Sequence, residues 1–309
     1  MGARGLARGV VVGHVGMLPV AWVLKLLNFT ERYAIILHGV EAWCRHSWVM
    51  RIAARGASHI VATTHYTARE FCYYNNLEIK RCTVIPLATS MRALPVQRTP
   101  PAGELKLLMV TRLSVWDGYK GVDTVMRAVR LGLDSGLTVT LDLVGSGDDM
   151  ERLAALAKSL DIRDAVHFRG LIPDADLPQV YRESHVFVMP SKKEGFGIAF
   201  VEAMTAGLPS IGANHGGTPE VIEHGETGFL IEYGDAEQLV SYLRAIIESP
   251  ALYDTLSRGA RYRGAEVLGF ELMTRSWRKL VERLETPWNP KPDSGLNPDQ
   301  ARRSAAKEY

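Results

Sequence analysis

Between Pro190 and Gly228 the chain reads PSKKEGFGIAFVEAMTAGLPSIGANHGGTPEVIEHGETG. The apolar run that ends at Pro190 predicts a buried strand, and the turn Gly195-Phe196-Gly197 predicts the start of a helix. Ligands of parallel α/β sheets bind at such carboxyl ends of strands. Because the first N–H groups of a helix are free, this start favours an anionic group such as a diphosphate, and glycine lets the backbone approach it closely. The stretch therefore predicts an α/β fold with an anion-binding edge.

Two glutamates with seven residues between them lie in this stretch. Glu194 stands before the turn, and Glu202 lies on a helix predicted over Ile198–Thr205. The neighbours of Glu202 are apolar, so the helix is predicted to be largely buried, and a carboxylate there needs a hydrogen-bonding partner. Two carboxylates so placed can each accept hydrogens from a pair of hydroxyls, one pair on a sugar ring and one on a ribose. An isolated helical glutamate would instead face solvent.

On both sides of this stretch, short apolar runs alternate with helical patterns, which indicates parallel βα units. From residue 105 onward the predicted strands are Leu105–Thr111, Leu137–Val144, Ala165–Phe168, His185–Met189, Ser210–Ala213 and Gly228–Ile231. The predicted helices are Gly121–Leu131, Asp148–Ser159, Asp174–Arg182, Ile198–Thr205, Pro219–Glu223, Ala236–Ile247 and Pro250–Tyr262. These strands are apolar on both faces, as in a sheet that is covered by helices on both sides.

The N-terminal part shows the same pattern with fewer units. Its predicted strands are Val10–His14, Ala34–Leu37, His59–Thr63 and Thr83–Pro86, with a helix at about Leu18–Leu27. The proline-rich stretch Leu94–Gly103 predicts a linker. The sequence therefore predicts an N-terminal Rossmann-like domain over residues 1–97 and a C-terminal one over 98–270. A helix over 271–286 is expected to pack back on the first domain, and residues 287–309 to form a disordered tail.

Basic residues and further glycines also stand at predicted strand ends. The segment VTRLSVWDGYKGVDTVMRAV contains Arg112 and Lys120, the latter directly before Gly121. Either cation alone would be read as a surface residue, but together at a helix start they predict phosphate binding, since fixed cations stabilise the negative charge of a phosphate. Gly145 lies in a second glycine-lined strand exit, and His38 ends the strand Ala34–Leu37; a lone histidine is more often structural.

The glutamate pair resembles the E-x7-E motif of the retaining GT-B glycosyltransferases of family 4, the glycosyl transferases group 1. The resemblance continues through the sequence GGTPE at Gly216–Glu220 and through Gly225, Thr227 and Gly228, and it spans roughly residues 10–280. It implies a GT-B-like fold, in which two Rossmann-like domains face each other across a cleft. It also implies transfer of a sugar from a nucleotide-diphosphate sugar to a hydroxyl acceptor with retention of anomeric configuration, by a front-face displacement.

The resemblance assigns roles to individual residues. The implied catalytic residues are Glu194 and His38. The donor diphosphate would be held by Arg112, Lys120, Gly197 and Ile198, and the donor sugar by Glu194, Gly195, Phe196 and Gly197. The ribose and base would contact Glu202, Arg169, Leu171 and Gly145. No metal and no cofactor are expected, and the expected partners are a nucleotide-sugar donor and a saccharide or lipid-linked acceptor.

The sequence departs from the family at its N-terminus. Family members carry a first strand, a glycine-rich loop and further βα units before the equivalent of Val10. The N-terminal domain is therefore expected to be incomplete, with an exposed sheet edge. Three explanations fit: a longer natural enzyme, a partner chain that completes the fold, or a truncated, non-catalytic subunit that binds nucleotide sugars or depends on a partner.

Charge is distributed unevenly along the chain. The first hundred residues contain 12 Lys/Arg and 4 Asp/Glu, whereas the other 209 contain 24 and 30. A basic N-terminal part suits an anionic acceptor or peripheral association with a membrane, and simple solvated surfaces would give the same composition. Nucleic acid is not an expected partner, since the chain shows no aromatic stacking platform.

The cysteines and the first apolar run bear on localisation. The three cysteines have no metal-ligand spacing, which favours reduced thiols in a protein of the cytoplasm or of the inner face of the membrane. The apolar run from Val10 to Leu27 is interrupted by His14, Pro19 and Lys25, which favours a strand and a helix over a membrane span.

Overall fold

The computed structural model describes residues 8–91 and 98–285, which form two parallel sheets with their helices. The N-terminal sheet has the strand order β1-β2-β3-β4, and all neighbouring strands are parallel. Its strands are β1 (Val10–Val12), β2 (Tyr33–Leu37), β3 (His59–Ala62) and β4 (Cys82–Val84). The helices between them are α1 (Leu18–Leu26), α2 (Trp48–Gly56) and α3 (His65–Asn75).

The C-terminal sheet has six parallel strands in the order β10-β9-β8-β5-β6-β7. They are β5 (Glu104–Val110), β6 (Thr138–Val144), β7 (Val166–Gly170), β8 (Val186–Met189), β9 (Ser210–Ala213) and β10 (Gly228–Ile231). The helices are α4 (Val122–Asp134), α5 (Met150–Ser159), α6 (Leu177–Glu183), α7 (Ile198–Thr205), α8 (Thr218–Val221), α9 (Ala236–Glu248) and α10 (Pro250–Tyr262). From β5 the next strands, β6 and β7, are added on one side, and from β8 the next strands, β9 and β10, are added on the other side. The direction of strand addition therefore switches between β5 and β8. This is the order of a doubly wound Rossmann sheet, which binds its ligand at the switch point.

Burial explains why the C-terminal strands read as continuous apolar runs. All four residues of β8 and of β9 are buried, because helices cover both faces of the sheet. Thirteen-residue helices α4 and α9 bury one apolar side each and expose the other. The hydrophobic core of this domain is one cluster that contains Leu107, Leu141, Phe187, Phe200 and Leu243.

The chain returns to the N-terminal sheet at its last described helix. After α10 comes a π-helical turn, Arg263–Val267, followed by α11 (Phe270–Glu285). Leu280 of α11 is 2% exposed and belongs to a buried cluster with Ala34, Val61 and Ile85 of the N-terminal sheet. The N-terminal sheet is therefore covered on one side by a helix that follows the C-terminal domain in sequence.

Several predicted boundaries were wrong. The strand predicted over Val10–His14 ends at Val12, because His14 accepts a hydrogen bond from the N–H of Gly16 through its Nδ1 atom (3.0 Å) and starts a short 3₁₀ turn. The helix predicted from Asp174 begins only at Leu177, with a proline in its first turn. Residues 94–97 of the predicted linker, and the whole predicted tail, lie outside the described residues, whereas residues 98–103 of the linker are described.

The apolar segment over residues 10–27 forms β1 and α1, a strand followed by a helix. In the described part of the chain, no helix combines the length and the apolar character that crossing a membrane requires. The outer side of α1 is nevertheless apolar and exposed, with Val20, Val23 and Leu26 between 44% and 59% exposed. β1 is the edge strand of its sheet, and Val11 on it is 43% exposed.

Candidate functional site

The site lies at the carboxyl ends of β5 and β8, where the chain direction of the C-terminal sheet switches. The loop after β5 leads to Gly121 and α4, and the loop after β8 leads from Pro190 to α7. The two loops are in close contact, since a Cβ atom at Gly121 would lie 2.4 Å from the carbonyl oxygen of Pro190. Residues from two distant parts of the sequence are thereby brought together.

An ion pair joins the two loops. Lys120 Nζ donates a hydrogen bond to Glu194 Oε2 at 2.6 Å. The side chains are 20% and 12% exposed, so the pair is largely withdrawn from water. The Nζ atoms of Lys120 and Lys193 lie 5.7 Å and 6.0 Å from the ring centroid of Tyr119, which places three cationic or aromatic groups beside the carboxylate. The predicted phosphate ligand and the predicted sugar ligand thus contact each other.

Arg112, the second predicted phosphate ligand, is held by an aspartate that the sequence reasoning missed. Its Nε atom donates to Asp117 Oδ2 at 2.5 Å, and the Asp117 side chain is 4% exposed, while the Arg112 side chain is 73% exposed. The hydrogen bond from Arg112 lowers the pKa of Asp117, and the charge of Lys120 contributes to the lowering. Burial and the hydrogen bond to Asp117 raise the pKa of Tyr119 to about 12. Asp117 is therefore ionised between the two cations, and its place in the same short loop is the signal that could have identified it.

Glu202, the second glutamate of the motif, lies on α7 and is half-buried. Its Oε2 atom accepts a hydrogen bond from the hydroxyl of Tyr181 at 2.8 Å. Burial raises the pKa of Glu202, against a lowering by this hydrogen bond. The partner that a carboxylate on this buried helix needs is thus Tyr181 on α6, which the sequence did not indicate because the two residues belong to different βα units.

The helices that follow β5 and β8 both begin without a capping side chain. α4 starts after Gly121 and α7 after Gly197, and no described side chain accepts a hydrogen bond at either start. Ser47, Thr64 and Asp235 cap the helices that they precede, whereas α1, α5, α6 and α8 also begin without a capping side chain but do not directly follow β5 or β8. Two helix starts with free N–H groups therefore flank the Lys120–Glu194 pair, which is the arrangement that binds an anion.

The remaining predicted donor residues differ in exposure. Phe196 is 3% exposed and belongs to the core, so only its backbone can face a ligand. Arg169 on β7 donates to Asp142 at 3.0 Å, and Leu171 beyond it is 79% exposed. Gly145 follows β6, and a Cβ atom there would lie 1.8 Å from the carbonyl oxygen of Thr111. Gly145 thus lies against the start of the loop that carries Arg112. Leu171 follows β7, the edge strand that β6 separates from β5.

The N-terminal domain reaches this site through the ends of β2 and β3. The hydroxyl of Thr63 donates to the carbonyl of His38 (3.0 Å), and the hydroxyl of Thr64 donates to the carbonyl of Gly195 (3.0 Å). A Cβ atom at Gly195 would lie 2.2 Å from the carbonyl oxygen of His38, so the two backbones are in direct contact. The His38 ring is exposed and its Nε2 atom is 2.9 Å from the carbonyl oxygen of Gly13. The strand end that carries His38 therefore lies against the loop of Glu194.

The turn after β2 is stabilised by its own acidic residue. Glu41 Oε1 accepts hydrogen bonds from the N–H groups of His38 (2.7 Å) and Gly39 (3.1 Å). Glu41 thus holds the loop that carries His38. Within residues 8–91 and 98–285, no group of three or more His, Cys, Asp or Glu side chains is arranged to hold a metal ion.

Solved structures show what this architecture resembles. The Anabaena protein Alr3699/HepE, solved in complex with UDP, superposes with a TM-score of 0.75 at 22% identity, over 89% of this chain and 78% of that one. The predicted GT-B-like fold of two Rossmann-like domains is confirmed by this similarity.

Sequence comparison gives the family. The chain is 32% identical over 206 residues to an uncharacterized glycosyltransferase of Haemophilus influenzae, over 66% of this chain and 56% of that protein. It is 30% identical over 282 residues to the D-inositol 3-phosphate glycosyltransferase of Streptomyces avermitilis, over 84% of this chain and 60% of that protein. The chain therefore spans somewhat more than half the length of these curated relatives. The profile of the family described as Glycosyl transferases group 1 matches residues 90–263, and the chain belongs to this family.

Proposed function

We propose that this chain transfers a sugar from a nucleotide-diphosphate sugar to a hydroxyl acceptor with retention of anomeric configuration. The observation that carries the proposal is the Lys120–Glu194 ion pair (2.6 Å), which stands at the switch point between the uncapped starts of α4 and α7. A donor diphosphate needs cations and free N–H groups, and a sugar needs a carboxylate beside them. These groups are adjacent here.

Donor binding would rearrange this ion pair. The diphosphate brings negative charge to Lys120, so the ammonium exchanges the carboxylate of Glu194 for a phosphate oxygen, and Glu194 becomes free to accept hydrogens from sugar hydroxyls. Arg112 contributes the second cation, and the N–H groups at Gly197 and Ile198 point toward the same anion. On the nucleoside side, Glu202 would accept the ribose hydroxyls, with the base near Gly145, Arg169 and Leu171.

The proposed reaction breaks the bond between the anomeric carbon and the diphosphate oxygen. The acceptor oxygen forms the new bond on the same face of the sugar, and its proton passes to the departing phosphate oxygen. Lys120 and Arg112 stabilise the negative charge on the leaving diphosphate, without reorganisation during the reaction. Glu194 orients the sugar and stabilises the positive charge that develops on it, and His38 hydrogen-bonds the transferred sugar. The proposal of retention rests on the resemblance to family 4. The proposed step is a front-face displacement, so it uses no covalent nucleophile.

The proposed acceptor is a saccharide or a lipid-linked saccharide, in polysaccharide or glycoconjugate biosynthesis on the cytoplasmic side of the membrane. Two features support it: the excess of basic residues in the first hundred positions and the exposed apolar outer side of α1. Apolar side chains with surrounding cations bind anionic lipid surfaces. Cosedimentation with vesicles that contain anionic lipid tests this association, and Leu26→Ser, which removes apolar surface without adding charge, should reduce it. Equal binding to purely neutral vesicles would contradict it.

The transfer activity is tested by donor binding followed by turnover. Nucleotides and nucleotide sugars are screened for thermal stabilisation, beginning with UDP because HepE was solved with it. A stabilising donor is then incubated with candidate acceptors, and the anomeric configuration of the product is read by NMR. Donor affinity should fall far more in Arg112→Ala than in His38→Ala, because Arg112 is assigned to the diphosphate and His38 is not. Equal tolerance of both changes contradicts these roles, and binding without turnover on any acceptor favours a non-catalytic, partner-dependent subunit.

A further inference from the structure

The start of helix α3 is bound by a carboxylate from the other domain. Glu220 Oε2 accepts the N–H of His65 and Glu220 Oε1 accepts the N–H of Tyr66, each at 2.7 Å. The next N–H, of Thr67, donates to the side chain of Thr64 at 3.1 Å. The first three N–H groups of α3 are thus all satisfied, two of them across the domain boundary.

Glu220 is itself fixed on the C-terminal side. It lies on α8, and Arg263 in the π-helical turn donates to the carbonyl oxygens of Glu220 (2.7 Å) and Val221 (2.6 Å). Arg263 also forms an ion pair with Glu223. Because α8 is held from behind in this way, the Glu220 carboxylate cannot follow α3 freely if the domains separate.

The start of α3 contacts both halves of the candidate site. Thr63 and Thr64, which directly precede the helix, bind the carbonyls of His38 and Gly195. On the same side, the rings of Tyr66 and His215 are 6.3 Å apart between centroids. A shift of α3 relative to α8 would therefore change the separation between the loop of His38 and the loop of Glu194.

We propose that Glu220 is a positioning residue that holds the two domains in the closed arrangement needed for transfer. The proposal rests on the proposed glycosyltransferase function, and it concerns a residue that acts through the backbone of α3 without touching the substrate. A carboxylate at a helix start gains from two charge-assisted hydrogen bonds and from the helix dipole. Because closure excludes water and completes the cleft, loss of this contact impairs the chemical step and leaves donor binding on the C-terminal domain intact.

The test uses Glu220→Gln with Glu226→Gln, an exposed glutamate of the loop after α8, as its matched control. The first variant removes the charge and turns an amide NH₂ toward a backbone N–H, whereas the second removes a charge from the same loop without touching α3. In Glu220→Gln, kcat should fall about 10- to 100-fold, the range expected when reacting groups lose their alignment. Its affinity for the nucleotide should stay within about twofold of the parent, as should both quantities in Glu226→Gln. The amides of His65 and Tyr66 should exchange with deuterium at least about tenfold faster only in Glu220→Gln.

Several outcomes overturn the proposal. Unchanged exchange at the two amides in Glu220→Gln shows that the contact does not hold α3. A loss of nucleotide affinity that matches the loss of kcat, or an equal loss in Glu226→Gln, shows that the loop merely supports the C-terminal fold. If the parent protein transfers no sugar, the proposed function fails, and small-angle scattering with amide exchange still decides whether Glu220 holds the domains together.

Discussion

Replacement of Lys120 by methionine tests the central feature of the site. The substitution keeps the length and apolar stem of the side chain and removes its charge, so Glu194 loses its partner at 2.6 Å. At an effective dielectric constant of about 20, two unit charges about 3 Å apart attract each other by about 5 kcal/mol. Desolvation offsets much of this, because the side chains are only 20% and 12% exposed. The expected net loss in the free energy of unfolding is about 1–3 kcal/mol.

The loss is measured by urea unfolding of four proteins: the parent, Lys120→Met, Glu194→Gln and the double variant. In the double variant neither charge is left without a partner, so its loss of stability should be smaller than the sum of the two single losses by about 1–3 kcal/mol. Near the melting temperature each kcal/mol corresponds to a shift of about 2–4 °C for a chain of this size. The nucleotide that stabilises the parent in the thermal screen should also bind Lys120→Met at least about tenfold more weakly, a difference of about 1.4 kcal/mol.

Two results would refute this reasoning. If the effects of the two single changes add to within about 0.5 kcal/mol, Lys120 and Glu194 are not energetically coupled in the protein without donor. If Lys120→Met binds that nucleotide as tightly as the parent does, the lysine is not a ligand of the diphosphate.

Three further predictions concern other parts of the molecule. Burial raises the pKa of Glu202, so its contribution to stability is present below the ordinary glutamate pKa of about 4.3 and is lost as the pH rises through its folded pKa. Glu202→Gln, which can still accept from Tyr181, should therefore raise the melting temperature near neutral pH, and a pH series of thermal unfolding should show the gain shrink toward pH 4. Gly145→Ala should lower the free energy of unfolding in urea by at least about 2 kcal/mol, because φ is +137° and the new methyl group would lie 1.8 Å from a carbonyl oxygen. The control Gly13→Ala, where the added Cβ would have nothing within 4 Å, should be nearly neutral. Leu280→Ala should destabilise the protein by about 2–5 kcal/mol in the same assay, and a loss below that range would mean that α11 contributes little to the N-terminal core.

The C-terminal sheet could be predicted from sequence because both its faces are buried. A strand covered on both sides must be apolar throughout, and this leaves a local signal that needs no knowledge of its neighbours. β8 and β9, fully buried along their length, lie within or at the predicted ranges His185–Met189 and Ser210–Ala213. Boundaries were less accurate where a side chain decides the end of an element. The early end of β1 depends on the hydrogen bond from Gly16 to His14, which no hydrophobic pattern reveals.

The sequence predicted which residues stand in the site better than it predicted the contacts between them. Lys120 and Glu194 could be singled out because Lys120 stands directly before a predicted helix start and Glu194 lies in the loop after a predicted strand. Their direct contact could not, because it depends on the pairing of β5 with β8, strands that are separated by two complete βα units in sequence. The same holds for Tyr181 and Glu202, since the register of α6 against α7 is a property of the packed core.

The path of α11 has a consequence for the synthesis of the protein. Domains usually fold in order as they leave the ribosome. Here the four described strands of the N-terminal sheet have all emerged once β4 has been made, but the apolar side formed by Ala34, Val61 and Ile85 packs against Leu280 only after residue 280 has been translated. The whole C-terminal domain is made and can fold in the meantime. Throughout that interval the nascent chain presents an uncovered apolar surface, which makes it a candidate for binding by trigger-type chaperones and makes truncation before α11 more harmful to the first domain than to the second.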